Sequence, residues 1–299
     1  MLVNQAVTTE HERYTNRSLE TRPVNPGIAR NALHSLKYEM DKKFLPDGLT
    51  KVKDLSFLNE AERRFFTQVQ GRTYLNMVAL VSRLNRIALD GANGTDAGDS
   101  QELFQRLDQL ATVEMPEGYT FVADTDALAG AMHGKSQWSN QALILLVELF
   151  SKEHYRESAA ADLSLSGLWK EVLQSHWREE ARHALLDESA WQQEDSTLNA
   201  SERDLAVNEL IELLGTMDAI LQAQAQADAN YFMHKSEHRF TRLQADQIQN
   251  TFLKAYRWQY IVSGVQVHRY TDVLGRMITA TQSERIFSAL SPLINHTFA

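Results

Sequence analysis

Proline occurs only five times and glycine thirteen times in 299 residues, and both gather in a few short stretches. Pro23, Pro26, Pro46 and Gly48 punctuate the first fifty residues; Gly91, Gly94 and Gly98 mark one loop, and Pro116 and Gly118 another. Between them run long segments of Leu, Ala, Glu, Gln and Arg, the residues that lose least freedom on entering a helix. So few breakers leave the chain little alternative to long helices. The pattern predicts them over 28–43, 58–90, 99–114, 137–158, 164–193, 201–236, 243–277 and 282–290. Asn59 with Glu62 three residues on suits a capping box for the second. Ser164 or Ser166 suits the start of 164–193, and Ser201 that of 201–236. A 30-residue helix runs about 45 Å, and several of that length joined by short loops close into an antiparallel bundle. Only GYTFVAD (118–124) reads as a strand. The expected fold is all-α: an N-terminal arm over 1–50 with one short helix, then a single helical domain over 51–299.

Composition narrows the chemistry. With no cysteine, disulfides, thiolate metal sites, iron–sulfur clusters and a cysteine nucleophile are excluded, so any metal must use His, Asp or Glu. Lys plus Arg is 30 against 39 for Asp plus Glu, a formal net charge of −9. That balance disfavours non-specific binding to nucleic acid or an anionic membrane. The first eighteen residues hold no apolar run, so no signal peptide is expected. The best apolar run, ALILLVELF (142–150), is too short to span a membrane and is interrupted by Glu148. The expected location is cytoplasmic.

The most informative segment is LSLSGLWKEVLQSHWREEARHALLDE (163–188). Its apolar stripe runs Leu165, Leu168, Val172, and helical spacing continues it through His176, Glu180 and His183 to Leu186 and Ala190. An ionisable trio thus occupies positions that point inward, where an unpaired charge is very costly. Imidazole and carboxylate suit iron, manganese or zinc, and Glu-x-x-His pairs build dimetal sites inside helical bundles. A wet polar face near Arg178, Glu179 and Arg182 is the plainer alternative. Glu148 is the second signal. It lies between Val147 and Leu149 on a helix apolar almost all round, so it needs a cation or becomes neutral. Facing the 164–193 helix it would add an oxygen ligand; a salt bridge to an arginine is the alternative.

Other residues carry weaker signals. Glu153 and His154 lie beyond Glu148 toward a helix end, with His154 a candidate partner to a ligand. His234 and His238, spaced i, i+4, fall in the polar segment HKSEHRF and read as a solvated helix terminus. Trp177, Trp191, Trp258, Tyr256 and Tyr260 read as packing aromatics. No Gly-rich phosphate loop or Ser-nucleophile elbow occurs.

The stretch SHWREEARHALLD (175–187) resembles the ferritin-like diiron proteins, and among them the p-aminobenzoate N-oxygenase-like branch. The His-x-x-x-Glu-x-x-His helix of that branch is matched by His176, Glu180 and His183, and its ligand glutamate on the preceding helix by Glu148. FLNEAERRFFTQVQGRTYLNMVALVSRLN (57–85) is similar to its first core helix, and SQELFQRL (100–107) to the run after its first Glu-x-x-His. The resemblance spans about residues 50 to 275 and implies a ferritin-like antiparallel bundle with additional helices. The chain departs from the pattern in its first half. Relatives carry acidic residues near Ser82 and Arg83, and a Glu-x-x-His where this chain reads Ala97-Gly98-Asp99-Ser100. No histidine occurs between His34 and His133. Glu62, Asp96, Asp99 and Glu102 are the substitutes that remain.

The resemblance implies a metal-dependent oxidoreductase, oxygenase-like, acting on a small organic molecule such as an amine or carboxylate. Glu148, His176, Glu180 and His183 would hold iron, with manganese the alternative and one ion favoured over two. Two other functions stay open. One is a non-catalytic binding or scaffolding bundle that partners another protein or another copy of the chain. The other is a metal-independent enzyme using His176 or His183 as general base.

Overall fold

The computed structural model describes residues 38–88, 98–123 and 125–299, with the side chains of 82–88, 98–103, 125, 151–153, 156, 157, 175 and 179–182 outside that description. Among the described residues all regular structure is helical, apart from one isolated bridge between Lys43 and Leu165. The main helices are α1 (Glu60–Ala88), α2 (Gly98–Glu114), α3 (Thr125–His133), α4 (Gln137–His154), α5 (Gly167–Thr197), α6 (Ala200–Lys235), α7 (Arg242–Arg257), α8 (His268–Met277) and α9 (Ala280–Phe298). Short helical turns lie at Asp47–Thr50, Val52–Asp54 and Ser263–Gln266, and π-helical turns at Tyr155–Ala159 and Trp258–Val262.

The caps follow local chemistry. Asn59 and Glu62 exchange side-chain and backbone hydrogen bonds of 2.9 Å each, the reciprocal box expected at the start of α1. Ser166, not Ser164, caps α5 by accepting from the Trp169 amide. The cap of α6 is Asn199 with Glu202, two residues before the expected Ser201. Ser201 is itself helical there, and its amide donates to Asn199.

Other boundaries differ from expectation for physical reasons. The helix expected over 28–43 is not helical in its described part, 38–43, which is irregular with a turn and the isolated bridge at Lys43. The candidate strand 118–124 is an irregular segment through 118–123, where the Val122 amide donates to the Gln224 side chain instead of to a neighbouring strand. The long helix expected over 243–277 is interrupted twice, by the π-turn at Trp258–Val262 and by extended backbone at Val267. Helix α9 runs past its expected end at 290 despite Pro292. The carbonyl that Pro292 leaves without a donor belongs to Ser288, which is exposed and can bond water.

Helix α4 is the centre of the bundle. Every residue from 142 to 150 is buried, so partners must cover it on all sides. Helix α5 lies along it, and α1, α6 and the 258–266 segment take the remaining faces. Neighbouring helices run antiparallel. Trp138 meets Trp191 while Tyr155 stacks on Trp177, which sets α4 against α5. Phe66 meets Phe232 and Thr73 meets Asp228, which sets α1 against α6. Glu209 of α6 reaches the start of α4 and accepts from the Ser136 amide at 2.8 Å, placing a carboxylate at the positive helix end. The segment before α1 also enters the core. Phe44 and Leu45 are fully buried, Phe44 stacks on Trp169, and Gln68 donates to the carbonyls of Met40 and Lys42.

The closest backbone approach lies at Gly264, where an added Cβ would stand 2.7 Å from the Leu146 carbonyl oxygen. Gly264→Ala must push the 263–266 turn off α4. It is expected to lower stability by about 1–3 kcal/mol, the usual scale of overpacking, read as a lower urea midpoint with an unchanged slope. An unchanged midpoint would show that the two segments separate freely.

Candidate functional site

Glu148 and His176 face the interior from paired helices. Glu148 is 1 % exposed within apolar α4, and His176 is 4 % exposed on α5. The aromatic pairs at the two ends of α4 and α5 fix their register, which sets Glu148 level with His183 and His154 level with His176. The buried face of α5 passes through Leu168, Trp169, Val172, Leu173, His176, Ala184 and Trp191. That line deviates from the expected stripe after position 180. His183 is half-buried at its edge, and Leu186, expected inside, is 49 % exposed. For Leu186 the reason is the helical repeat: six residues from position 180 fall short of two turns and leave it about 120° off that line. Position 180 lies on the inward line, and the Glu180 side chain is outside the described residues.

His176 is held by α1 and α2. Its Nδ1 lies 2.8 Å from the Tyr74 hydroxyl, and its ring meets Tyr74 and Phe104 edge to face. If Nδ1–H donates to the phenol oxygen, Nε2 presents a lone pair to the interior, the form a metal or an acid would use. If the phenol donates, Nε2 carries the proton. Tyr74 therefore governs what His176 offers.

His154 closes the same level from α4. It is fully enclosed, with Nε2 at 2.8 Å from the Ser263 hydroxyl. Burial, aided by the nearby His176, pushes its pKa from 6.5 down to about 3, so it is a neutral imidazole at any ordinary pH. Ser263 directly follows the π-turn Trp258–Val262, and His154 directly precedes the π-turn Tyr155–Ala159. Such turns insert an extra residue into the helix and recur at functional positions.

The substitutes considered for the first half of a dimetal site divide in two. The side chains of Ser82, Arg83, Asp99 and Glu102, and all of Asp96, lie outside the described residues. Glu62 is described: it caps α1 and lies 3.4 Å from His238. It sits twelve residues from Tyr74, about 18 Å along the helix, so it serves the bundle end and not the His176 level. His234 and His238 are exposed at and beyond the end of α6, as their polar segment suggested. Among the described residues, no group of three His, Asp or Glu side chains is close enough to hold a metal ion.

A second polar cluster, reached from α1 through Thr73, the neighbour of Tyr74, was not anticipated. Asp228 of α6 is 1 % exposed and accepts from Thr73 at 2.6 Å, Gln224 at 2.9 Å and the Tyr256 hydroxyl. The Thr73 hydroxyl spends its hydrogen on Asp228, so the Tyr119 hydroxyl, 2.9 Å away, is the donor to Thr73. The Arg72 guanidinium lies 4.2 Å over the Tyr119 ring and pairs with Asp108. Burial raises the Asp228 pKa from 3.8 to about 7, against the opposing pull of its three donors and Arg72. In sequence Asp228 closes LQAQAQADA, where alternating small and polar residues hide which face is buried. The Gln224–Asp228 spacing of four was the one available signal.

No family model, curated protein or solved structure matches this chain.

Asp228 yields a pH prediction. The folded chain holds this proton up to about pH 7, while the unfolded chain releases it near 4. Its contribution to stability is therefore greatest at acid pH, declines from about pH 4 to about pH 7, and is flat above. Asp228→Asn is expected to remove that decline in urea midpoints measured between pH 4 and 8. An identical slope in both proteins would assign it to other groups.

Proposed function

We propose that the interior facing α4 and α5 is a metal-dependent oxidation site, oxygenase-like, for a small organic molecule in a ferritin-like bundle. The observation that carries this is Glu148: an acid 1 % exposed in a helix segment buried on all sides, in register with His183 and beside the helix that presents His176. A carboxylate there is tolerable only opposite a cation, or as the neutral acid. The donor chemistry fits iron or manganese, with two imidazoles and carboxylates and no thiolate. Glu148, His176, Glu180 and His183 would hold one ion. Bound iron would supply the one-electron chemistry with dioxygen that side chains lack.

The chain's own groups have definite tasks. Tyr74 fixes the tautomer and tilt of His176. Phe104 and Phe150 exclude water from the two sides of the His154–His176 level, which strengthens every polar contact inside.

A metal-free interior is the alternative, favoured by the lack of a three-member ligand group among the described residues. The chain would then be a binding or scaffolding bundle, or an enzyme in which His176 acts as a base oriented by Tyr74. Elemental analysis separates these outcomes. Protein expressed with iron and manganese supplied, and kept from chelators, is expected to hold close to one ion per chain. Glu148→Gln and His183→Ala are each expected to lower that content at least tenfold while circular dichroism stays unchanged. Close to two ions would point to further ligands from 82–102, and none would establish the metal-free alternative.

A further inference from the structure

Two fully enclosed polar atoms have no hydrogen-bond partner among the described residues and flank the same aromatic ring. They are Nδ1 of His154 and the hydroxyl of Tyr260. The Phe150 ring lies 4.9 Å from the His154 ring and 5.6 Å from the Tyr260 ring, centroid to centroid. Both residues belong to the two π-turns: His154 immediately precedes one, and Tyr260 is the middle residue of the other. The turns are tied together where His154 bonds Ser263 at 2.8 Å. On the far side His176 acts electrostatically on His154, and Tyr74, which bonds His176, acts on Tyr260. His154 and Tyr260 thus both stand against the Phe150 ring, and the bonded pair His176–Tyr74 acts on them electrostatically.

A buried hydroxyl or imidazole nitrogen left unsatisfied has lost its hydrogen bonds to water and gained none in return, which destabilises the fold. Two such groups against one aromatic ring, on two irregular turns, are costly for packing alone; phenylalanine at 260 would fill the same space at no polar cost. We propose that His154 and Tyr260 form a recognition site for one small uncharged polar molecule, which hydrogen-bonds to Nδ1 of His154 and to the Tyr260 hydroxyl over the Phe150 ring. This rests on the interior being a reaction site and names its substrate class. An amide or hydroxyl-bearing molecule satisfies both atoms, since the phenol can donate or accept and neutral imidazole offers one nitrogen of either kind.

The charge state is set by the surroundings. His154 is held neutral, and burial raises the Tyr260 pKa well above its ordinary value, so neither atom offers a counter-charge. An anion bound there would be desolvated without a counter-charge, and Asp228, the carboxyl that acts on Tyr260, is already engaged by Thr73, Gln224 and Tyr256 and is pushed by burial toward its neutral form, so it offers a cation little. Glu148 is two residues from Phe150, about 200° around α4, so it faces away from the side that carries Phe150 and His154.

Three probes of matched size and different charge test the site: propionamide, propionate and propylammonium. Binding is read as saturation transfer from chelator-treated, metal-free protein to the ligand methyl group, so the outcome does not depend on whether a metal binds. Propionamide is expected to receive transfer, with propionate and propylammonium receiving at least tenfold less. Tyr260→Phe is expected to abolish the propionamide signal and to raise the melting temperature of the unliganded protein, because it removes an unsatisfied hydroxyl. His154→Leu is expected to weaken the signal as well. Equal transfer to all three probes, transfer to none, or undiminished transfer in Tyr260→Phe overturns the proposal. So does a Tyr260→Phe protein that melts earlier or fails to fold, since the hydroxyl would then be serving the structure itself.

Discussion

The bundle is organised by the burial of α4. A helix that is apolar on one side can rest on a neighbour and show its other side to water. Helix α4 cannot, because nine consecutive residues from 142 to 150 are covered. Each must find a partner surface, and the chain supplies α1, α5, α6 and the 258–266 segment around it. The ends of α4 are then closed by polar contacts from the same partners: Glu209 at the Ser136 amide, Asp195 at the Trp138 indole nitrogen and Ser263 at His154. Glu148 is the one charged residue inside that stretch, which is why it dominates any account of what the interior does.

Close approach decides where the functional groups stand. Gly264 lets the 263–266 turn rest against the Leu146 carbonyl, at a separation no side chain would allow. That contact brings Ser263 to His154 and sets the preceding π-turn, with Tyr260, beside Phe150. The same economy appears on α1. Thr73 and Tyr74 are adjacent in sequence and point to different clusters, Thr73 to Asp228 and Tyr74 to His176. One helix therefore forms a shared wall between a buried acid cluster and a buried imidazole pair.

The two clusters handle the cost of buried polarity differently. Asp228 receives three donors, which favour the carboxylate, while burial favours the acid, and the balance falls near neutrality. His154 receives one partner, and burial leaves it neutral. The first is a satisfied network that ties α1, α6 and α7 together. The second keeps free hydrogen-bonding capacity in the interior, the property expected of a place that receives a ligand.

The sequence by itself determined the helices and the inward acid. Helix formers without breakers left few alternatives, and Asn59 with Glu62 marked a start that local hydrogen bonding confirms. An acid at 148 within an apolar run had to be buried wherever that run went. Tertiary structure decided what periodicity cannot encode. Counting by threes and fours carried the α5 stripe through His183 to Leu186, whereas the packing buries Ala184 and Trp191 and leaves His183 half-buried and Leu186 exposed. The π-turns, the break at Val267 and the Gly264 contact depend on what packs against them, so no local pattern announces them. Asp228 stayed hidden because its donors come from positions 73, 224 and 256. A buried polar group is identified by the donors that surround it, and only folding brings Thr73 and Tyr256 from distant parts of the chain to one carboxyl.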